Sequence, residues 1–435
     1  MQLLEKYKGK KLAILGYGVE GQASHNYLRD HGLKAEVLDQ SNDTAYLQKL
    51  VNYDVIFRTP GISPLKPEIV AAKRAGVVFT SQIEHFFDQC PGKIIGVTGT
   101  KGKGTTSTII YEALKAEGLD VHLGGNIGVP AISFLDDLTP DSWVVLELSS
   151  FQLQTLSKSP HIAVVLNVTS EHLDYHKDTE EYRVAKANIV KYQNEDDFAV
   201  INGDYDVPKS YSKLTPASKF FFSRDHKVEG CYVDEKDQVV LNVEGENAII
   251  ATYGELNLRG RHNLENVTAA SLTAYLAGVR PETISAIVKD FHGLEHRLEL
   301  IRDAKGVKYY NDSFSTVPET AIAALDSFTE PIILIVGGSN KNSDYRDLGR
   351  KIADSNVKAL ILIGDMAGEI AKSIPERFEG EIVLGLTKMD EIVTRATSIA
   401  KRGDVVLLSP ACASFGLFEN YKDRGDQFKN AVKRL

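Results

Sequence analysis

A glycine-rich stretch that follows a short apolar run carries residues that could bind a triphosphate. Residues 96–106 read GVTGTKGKGTT, after a strand-like segment at 94–97 and before a helical pattern at 105–117. In such a turn, backbone N–H groups and a helix N-terminus can surround phosphate oxygens, with Lys103 against the β and γ phosphates. The stretch therefore predicts an ATP-binding loop formed by Gly99, Thr100, Lys101, Gly102, Lys103, Gly104, Thr105 and Thr106.

The loop departs from the usual G-x-x-x-x-G-K-[ST] pattern at two positions. Val97 stands where the first glycine belongs, and Gly104 stands where a magnesium-binding hydroxyl belongs. Thr105, the next residue, is our candidate for that hydroxyl. A glycine-rich turn without a ligand is the alternative interpretation, but the coincidence of strand, loop, lysine and helix N-terminus favours phosphate binding.

Three further candidates for chemistry follow the phosphate loop along the chain. Glu147 lies at the end of the strand-like segment 143–148, His172 follows the segment 162–168, and Lys186 lies on the next helical pattern. Functional groups of parallel sheets usually emerge at the carboxyl ends of strands, and Mg²⁺ near a phosphate loop needs nearby ligands. Each residue alone could be structural or solvent-exposed, but together they predict a metal site beside the loop.

The first strand-like segment leads into a second glycine motif. Gly16, Gly18 and Gly21 have G-x-G-x-x-G spacing, and Asp39 ends the next strand, 18 residues after Gly21. This pattern is typical of dinucleotide-binding sites, but the same geometry serves any nucleotide diphosphate. A plain tight turn is the third interpretation of the motif taken alone.

Composition limits the class of protein. The chain has 435 residues, 43% hydrophobic and 25% charged, which predicts a globular protein of about three domains. A net charge of −9 without a basic run argues against a nucleic-acid partner. Because no apolar signal region or run of 18 apolar residues occurs, we expect a cytoplasmic protein that has no membrane partner. Cys90, Cys231 and Cys412 lack the spacing of a metal site or a disulfide framework.

Alternating strand-like and helical segments predict an α/β protein with three domains. We expect a Rossmann-like domain at 1–92, a central P-loop ATPase-like domain at 93–298, and a C-terminal Rossmann-like domain at 299–435. An antiparallel insertion is expected at about 219–258 of the central domain. The predicted strands are 12–15, 37–38, 55–57, 77–79, 94–97, 143–148, 162–168, 307–310, 332–336, 359–363, 382–384 and 405–408.

Several motifs along the whole chain resemble those of the Mur ligase family. The strings GTKGKGTT, GGNIGVP, ELSSFQL, NVTSEHLD, GRHNLEN, HRLE, NDS and LSPACAS occur in the order found in that family. ELSSFQL and LSPACAS are most similar to its D-glutamate-adding members. The resemblance implies three domains, which bind a UDP moiety, ATP and the incoming amino acid.

The resemblance also implies roles for residues that match the family's motifs. It assigns Lys103, Glu147, His172 and Lys186 to catalysis, with Lys186 carbamylated by CO₂. A pair of Mg²⁺ ions is implied near Thr105, Glu147, His172 and Lys186. The UDP-linked acceptor would contact Gly18, Val19, Gln40 and Ser41 and, at its muramoyl end, Asn126, Ser149 and Gln152. ATP would also contact Asn263, Arg297 and Asp312, and the amino acid would contact Lys341, Ser414, Phe415 and Tyr421.

The activity implied by the resemblance is ATP-dependent addition of D-glutamate to UDP-N-acetylmuramoyl-L-alanine through an acyl phosphate, in peptidoglycan precursor synthesis, by a monomer. L-Glutamate is an alternative, because Phe314 stands in NDSFST where D-glutamate-adding members often have lysine, and Tyr421 replaces phenylalanine. The GKG string also resembles folylpolyglutamate synthases, although these match only the last two domains. The rivals from other classes are an NAD-dependent oxidoreductase and a P-loop ATPase module.

Overall fold

The computed structural model describes residues 5–126, 128–172, 175–258, 260–340 and 343–435. The chain forms two compact units, Met1–Glu255 with Leu264–Lys289 and Leu256–Asn263 with Asp290–Leu435. The described residues form two β-sheets in the first unit and one in the second. Within the same residues, no helix has the length and apolar character needed to cross a membrane.

The N-terminal sheet consists of β1 (Leu12–Leu15), β2 (Ala35–Leu38), β3 (Val55–Arg58) and β4 (Val78–Thr80), all parallel, in the order β2-β1-β3-β4. Strand β1 is apolar and wholly buried, as expected for a central strand of a parallel sheet. The segments that follow β1, β2 and β3 share one edge of the sheet. The helices of this region are Val19–Asp30, Pro67–Arg74 and Gln82–Gln89, with a 3-10 helix at Tyr46–Asn52.

The second sheet of this unit contains the strand before the predicted phosphate loop within its parallel part. Its strands are β5 (Lys93–Thr98), β6 (Val121–Gly125), β7 (Trp143–Glu147), β8 (Ile162–Val165), β9 (Phe198–Asn202), β10 (Ser218–Ser223), β11 (Gly230–Val233), β12 (Gln238–Val243) and β13 (Glu246–Thr252). Their order is β13-β12-β11-β10-β9-β8-β5-β7-β6, so β5 lies between β7 and β8. The α-helices are Lys103–Ala116, Ser150–Leu153, Thr179–Lys191, Asp206–Tyr211, Asn263–Leu276 and Pro281–Asp290, with 3-10 helices at Ala131–Asp137, Ser212–Leu214 and Tyr253–Glu255.

The predicted antiparallel insertion at 219–258 is wrong in part. Strand β10 pairs in parallel with β9, and β11 pairs in parallel with β10, so this segment extends the main sheet. Only the pairs β11–β12 and β12–β13 are antiparallel. The turn between β12 and β13 can be predicted from local sequence. Glu244 and Gly245 both have positive φ, as a tight two-residue hairpin requires, and glycine favours that conformation. The parallel pairing is long-range and leaves no local pattern.

The sheet of the second unit consists of β14 (Glu299–Ala304), β15 (Val307–Asn311), β16 (Ile332–Gly337), β17 (Val357–Ile363), β18 (Glu381–Val383) and β19 (Val405–Leu408). The order is β14-β15-β19-β16-β17-β18, and only β14 runs antiparallel to its neighbour. Apolar clusters cover both faces of this sheet. The α-helices are Pro318–Leu325, Arg346–Ala353, Ala367–Ser373, Met389–Ile399 and Tyr421–Lys433.

The predicted α/β class with parallel sheets is confirmed. The predicted domain boundaries after residues 92 and 298 fall between sheets, since β4 ends at residue 80, β5 begins at 93, β13 ends at 252 and β14 begins at 299. The boundaries themselves stay a prediction. Strands β6, β9 and β14 were not predicted, because β6 and β14 are only partly apolar and β9 follows a polar turn.

Candidate active site

The predicted phosphate loop joins β5 to the helix Lys103–Ala116. Gly102 precedes this helix with φ 86°, a left-handed conformation that favours glycine. A Cβ atom at Gly102 would overlap Oδ1 of Asn266, so a side chain has no room there. Because the N-cap residue is glycine, no side chain caps this helix, and a helix N-terminus attracts anions. The helix begins two residues earlier than predicted.

Lys103 folds back over the loop that precedes it. Its Nζ atom donates hydrogen bonds to the carbonyl oxygens of Gly99 and Thr100, each at 3.2 Å. The loop therefore holds an ammonium group next to a helix N-terminus, and both attract phosphate. Around it, Lys101 is exposed, Thr105 is half-buried, and Gly104 and Thr106 are buried. This cradle of glycines, lysine and helix N-terminus fits ATP.

Lys186 approaches the same loop from the helix Thr179–Lys191. Only 2% of the residue is exposed, and its Nζ donates to Gly99 O at 2.9 Å and to Thr98 Oγ1 at 3.3 Å. The amine lies 4.9 Å from the centre of the Tyr182 ring, whose hydroxyl is 3.0 Å from Thr100 Oγ1. Lys186 and Lys103 thus converge on one carbonyl oxygen, that of Gly99.

The electrostatic setting of Lys186 is unfavourable to its charge. Burial lowers the pKa of Lys186 well below its usual value, and the charge of Lys103 lowers the pKa further. The carboxylates of Glu171 and Glu147 act in the opposite direction. Its hydrogen-bond partners are neutral oxygens, which do not offset the cost of a buried ammonium.

Glu147 is buried at the end of β7 and touches Asn126, which follows the end of β6. The Asn126 side chain donates to Glu147 Oε1 at 3.0 Å, and its backbone N–H donates to the Glu147 carbonyl at 2.9 Å. The structure therefore brings together a predicted metal ligand and a residue predicted to hold the acceptor. His172 is exposed, with φ 57° and its ring 4.9 Å from the Phe151 ring.

The described residues do not form a metal site from three or more unmodified side chains of the usual ligand types. No three His, Cys, Asp or Glu residues among them come close enough to hold an ion. Mg²⁺ commonly takes one or two protein ligands and completes its shell with water and substrate phosphates. Glu147 and the Thr105 hydroxyl fit that pattern chemically. The sequence-based ligand set of Thr105, Glu147, His172 and Lys186 stays a prediction.

Ser149 and Gln152 form a reciprocal cap at the start of the helix Ser150–Leu153. Ser149 Oγ accepts from the Gln152 N–H at 3.2 Å, and Gln152 Oε1 accepts from the Ser149 N–H at 2.9 Å. The amide of Gln152 also donates to Glu20 Oε1 at 2.7 Å. Both predicted acceptor contacts are thus held beside the glycine-rich loop of the N-terminal sheet.

That N-terminal loop is closed by Asp39. Its carboxylate accepts hydrogen bonds from the Ser41 hydroxyl, from the Ser41 N–H at 2.9 Å and from the Tyr17 N–H at 2.8 Å. These three bonds lower the pKa of Asp39. The segments after β1 and β2 are therefore tied to each other. The residues predicted to contact the UDP moiety all lie on these two segments: Gly18, Val19, Gln40 and Ser41.

In the second unit, Asp312 lies inside the protein at the end of β15. Its carboxyl accepts from the hydroxyls of Ser315 and Ser409 and, at 3.2 Å, from the Leu298 N–H. Burial raises the pKa of Asp312 to about 7 despite these donors. Its predicted contact with ATP stays a prediction. Arg297 is exposed and stacks on the Phe314 ring at 3.9 Å.

Arg424 joins the segment that holds Asp312, predicted to contact ATP, to the segment that holds Ser414, predicted to contact the amino acid. Its guanidinium is wholly buried and donates to Ser313 Oγ at 2.9 Å, to Ser313 O at 2.8 Å and to Cys412 O at 3.2 Å. Ser313 follows β15 and Cys412 follows β19, so one side chain holds both loops. Burial lowers the pKa of Arg424 to about 10.

The predicted amino-acid pocket is only partly described. Ser414 is buried, Phe415 is 63% exposed, and Tyr421 is half-buried with its ring 5.2 Å from the Phe314 ring. Lys341 lies outside the described residues. Asn263, predicted to contact ATP, is buried as the first residue of the helix Asn263–Leu276.

The sequence interpretation missed four residues that shape the candidate site: Thr98, Tyr182, Glu20 and Arg424. Tyr182 had a usable signal, because it lies four residues before Lys186 and therefore on the same helix face. Thr98 and Glu20 could have been noticed as polar residues within the two glycine-rich motifs. Arg424 had no local signal, since an arginine on a polar helix is normally exposed.

Two family models match the chain. The model described as the Mur ligase middle domain matches residues 97–274, which include the phosphate loop and Lys186. The model described as Mur ligase, glutamate ligase domain, matches residues 296–412. The two matches together span well over half of the sequence.

Known relatives align with almost the entire chain. A protein of Acetivibrio thermocellus named UDP-N-acetylmuramoylalanine–D-glutamate ligase is 39% identical over 99% of this chain and 98% of its own. A protein of the same name from Clostridium botulinum (strain Langeland) is 38% identical over 98% of this chain and 97% of its own.

Solved structures share the fold. A UDP-N-acetylmuramate–alanine ligase from Thermotoga maritima has a TM-score of 0.62 at 17% identity, over 98% of this chain and 99% of that one. A MurF ligase from the same organism, in complex with ADP, has a TM-score of 0.60 at 19% identity, over 99% and 98%. At these identities the similarity concerns the fold alone.

Proposed function

Because the chain belongs to the Mur ligase family, we propose that it is the ATP-dependent ligase that adds D-glutamate to UDP-N-acetylmuramoyl-L-alanine in peptidoglycan precursor synthesis. Relatives that are 37–39% identical over nearly the whole chain bear the name of that activity. The structural observation that carries the proposal is the convergence of Lys103 and Lys186 on Gly99, at the N-terminus of a helix. The N-terminal glycine motif then serves a UDP moiety and not the NAD of an oxidoreductase.

The chemistry explains why ATP is required. A carboxylate resists attack by an amine, so the γ-phosphoryl group is first transferred to the alanyl carboxylate. The bond between the γ phosphorus and ADP breaks, and a phosphorus–oxygen bond to the carboxylate forms. The glutamate amine then forms the C–N bond, phosphate leaves with the C–O bond electrons, and a proton passes to solvent. No covalent enzyme intermediate is needed.

The protein contributes charge and position. The Lys103 ammonium and the N–H groups of the following helix hold the phosphates, which reduces the repulsion between the two reacting anions. Asn126, Ser149 and Gln152 orient the muramoyl end of the acceptor. Mur ligases use ATP and Mg²⁺, and when bound the ion neutralises phosphoryl charge. Thr105, Glu147 and His172 are the proposed ligands for a pair of such ions.

Lys186 is proposed to carry a carbamate. Its nitrogen would form a bond to the carbon of CO₂, one C–O π bond would open, and a proton would be released to solvent. Support comes from its position, because a buried ammonium beside Lys103 is repelled, whereas an anion there is attracted. The Thr98 hydroxyl, which donates its proton to Leu148 O at 2.9 Å, would still accept from the N–H of the carbamate. An anionic group at this position also suits Mg²⁺.

The remaining contacts extend the same proposal. In the second unit, Lys341, Ser414, Phe415 and Tyr421 would receive glutamate, while Asn263, Arg297 and Asp312 would contact ATP. We propose D-glutamate as the substrate because the relatives are named for its addition. L-Glutamate is the alternative to test, because Phe314 stands where D-glutamate-adding members often have lysine. Gly18, Val19, Gln40 and Ser41 would contact UDP. We further propose a monomer that works in the cytoplasm, with domains at 1–92, 93–298 and 299–435.

The decisive experiment measures ADP release with the substrates added in all combinations. We expect ADP only when ATP, Mg²⁺, the UDP-linked acceptor and glutamate are all present, with D-glutamate preferred over L-glutamate in competition. A parallel reaction with a folate in place of the UDP-linked acceptor tests the folylpolyglutamate synthase alternative, which predicts ADP release with the folate. Comparable ADP release from ATP alone would make the protein an ATPase module and overturn the proposal.

A further inference from the structure

Glu20 is an acidic residue inside the glycine-rich motif of the N-terminal sheet. It is the second residue of the helix Val19–Asp30, and its side chain contacts the helices Gln82–Gln89 and Ser150–Leu153. Oε1 accepts from the amide of Gln152 at 2.7 Å, and Oε2 accepts from the amide of Gln82 at 3.1 Å. Both glutamines are buried, with 3% and 2% of their surfaces exposed.

The two glutamines cannot reverse their amides to suit another partner. Gln152 Oε1 is committed to the Ser149 N–H at 2.9 Å, within the cap that opens the helix Ser150–Leu153. Gln82 Oε1 accepts from the Ile132 N–H at 3.3 Å. Each glutamine therefore presents its NH₂ group to Glu20, and two donors require two acceptors. A carboxylate satisfies both, whereas an amide at this position would face one donor with another.

Ionisation of Glu20 carries a desolvation cost, which its hydrogen-bond donors and a nearby cation oppose. Burial raises the pKa of Glu20, while the two glutamine amides and the charge of Arg58 lower it. A group that served only stability would be better replaced by an uncharged one. The residues that it joins, in the glycine-rich loop and in the Ser149/Gln152 cap, indicate a functional role instead.

We propose that Glu20 is a positioning residue of the acceptor site, which holds the loop at residues 16–21 at a fixed distance from the Ser149/Gln152 cap. This inference rests on the proposed function, in which the loop binds the UDP moiety and the cap binds the muramoyl end of the same molecule. Glu20 and Gln152 lie 132 residues apart in sequence, and the hydrogen bond between them links the loop directly to the cap. A fixed spacing reduces the ordering cost when one ligand bridges both sites.

The test compares Glu20→Gln with a rescue variant. Glu20→Gln should raise KM for the acceptor about tenfold, as expected when a buried donor loses a charged partner, and leave KM for ATP within about twofold. In Glu20→Gln/Gln82→Glu, the carboxylate at position 82 can accept from both Ile132 and the amide at position 20, whose own oxygen still accepts from Gln152. This double variant keeps the net charge and should return KM for the acceptor to within about twofold of the parent value.

Glu36→Gln is the matched control, because Glu36 is exposed on β2 of the same sheet and its replacement makes the same charge change. Thermal unfolding of every variant is measured in parallel. A parent-like KM in Glu20→Gln, or a double variant as weak as the single one, would overturn the role of Glu20. So would a lower KM in Glu20→Gln, which would show repulsion of the acceptor. Absence of turnover in the parent enzyme would instead defeat the proposed function.

Discussion

Lys186 in the first unit and Arg424 in the second are both buried cations, yet their surroundings differ. Lys186 is 2% exposed and donates to two neutral oxygens, those of Thr98 and Gly99. Arg424 is 0% exposed and donates three hydrogen bonds, to Ser313 Oγ, Ser313 O and Cys412 O. The Lys186 side chain extends from a helix to the predicted phosphate loop after β5, and the Arg424 side chain extends from a helix to the loops after β15 and β19.

The difference shows that burial of the same charge can prepare a group for reaction or make it a clamp. Burial lowers the pKa of Lys186 well below its usual value, so the amine can exist in its neutral, nucleophilic form. Burial lowers the pKa of Arg424 only to about 10, so its guanidinium stays charged at neutral pH. Its planar fork then fixes two loops together. The residue type therefore decides which role the buried cation has.

The largest expected effect comes from giving Lys186 the chemistry of Arg424. Lys186→Arg keeps a cation that cannot form a carbamate, and we expect kcat to fall at least about a hundredfold, as when an electrostatic group of an active site is lost. Lys186→Glu should retain more activity than Lys186→Ala, because it supplies an anion. ADP release at saturating substrates measures all three. Lys191→Arg, an exposed position on the same helix, is the control. Full activity in Lys186→Ala would contradict the carbamate.

The converse exchange, Arg424→Lys, should destabilise the protein. One ammonium on a flexible stem cannot reproduce the guanidinium fork, so buried oxygens of Ser313 and Cys412 lose donors. We expect a loss of about 2–3 kcal/mol in the free energy of unfolding, measured by urea titration. Arg434→Lys, at the exposed end of the same helix, should change stability by less than about 0.5 kcal/mol. Equal stability of the two variants would refute the clamp.

The smallest effect concerns Asp312, whose negative charge raises the pKa of Arg424. Burial raises the pKa of Asp312 to about 7, from about 4 for an exposed aspartate. The folded state therefore binds the proton more tightly than the unfolded state. Its contribution to stability is complete below about pH 4 and is lost as pH rises through about 7. Asp312→Asn should flatten this part of the curve of Tm against pH. The same slope in both proteins would show that Asp312 does not titrate in this range.

Much of the phosphate loop could be predicted from sequence, because its signals are local. The strand at 94–97, the glycines and Lys103 occur within a dozen residues, and their structure follows from backbone geometry at Gly102 and from the helix that begins there. Glu147 and His172 were predicted from their positions after strands, and the structure places Glu147 in contact with Asn126. The relation in space between His172 and the other predicted ligands stays a prediction, because no local pattern specifies it.

By itself, the sequence determined the alternation of strands and helices, the α/β class and the glycine-rich loop before the helix Lys103–Ala116, because apolar periodicity and glycine-rich turns act over a few residues. Only the tertiary structure decided which polar groups meet. Lys186 reaches Gly99 across 87 residues, Gln152 reaches Glu20 across 132, and Arg424 reaches Ser313 across 111. It also decided that β10 joins the main sheet in parallel. The physical reason is that hydrogen bonds and desolvation depend on neighbours in space, which strand order brings together and local sequence does not specify.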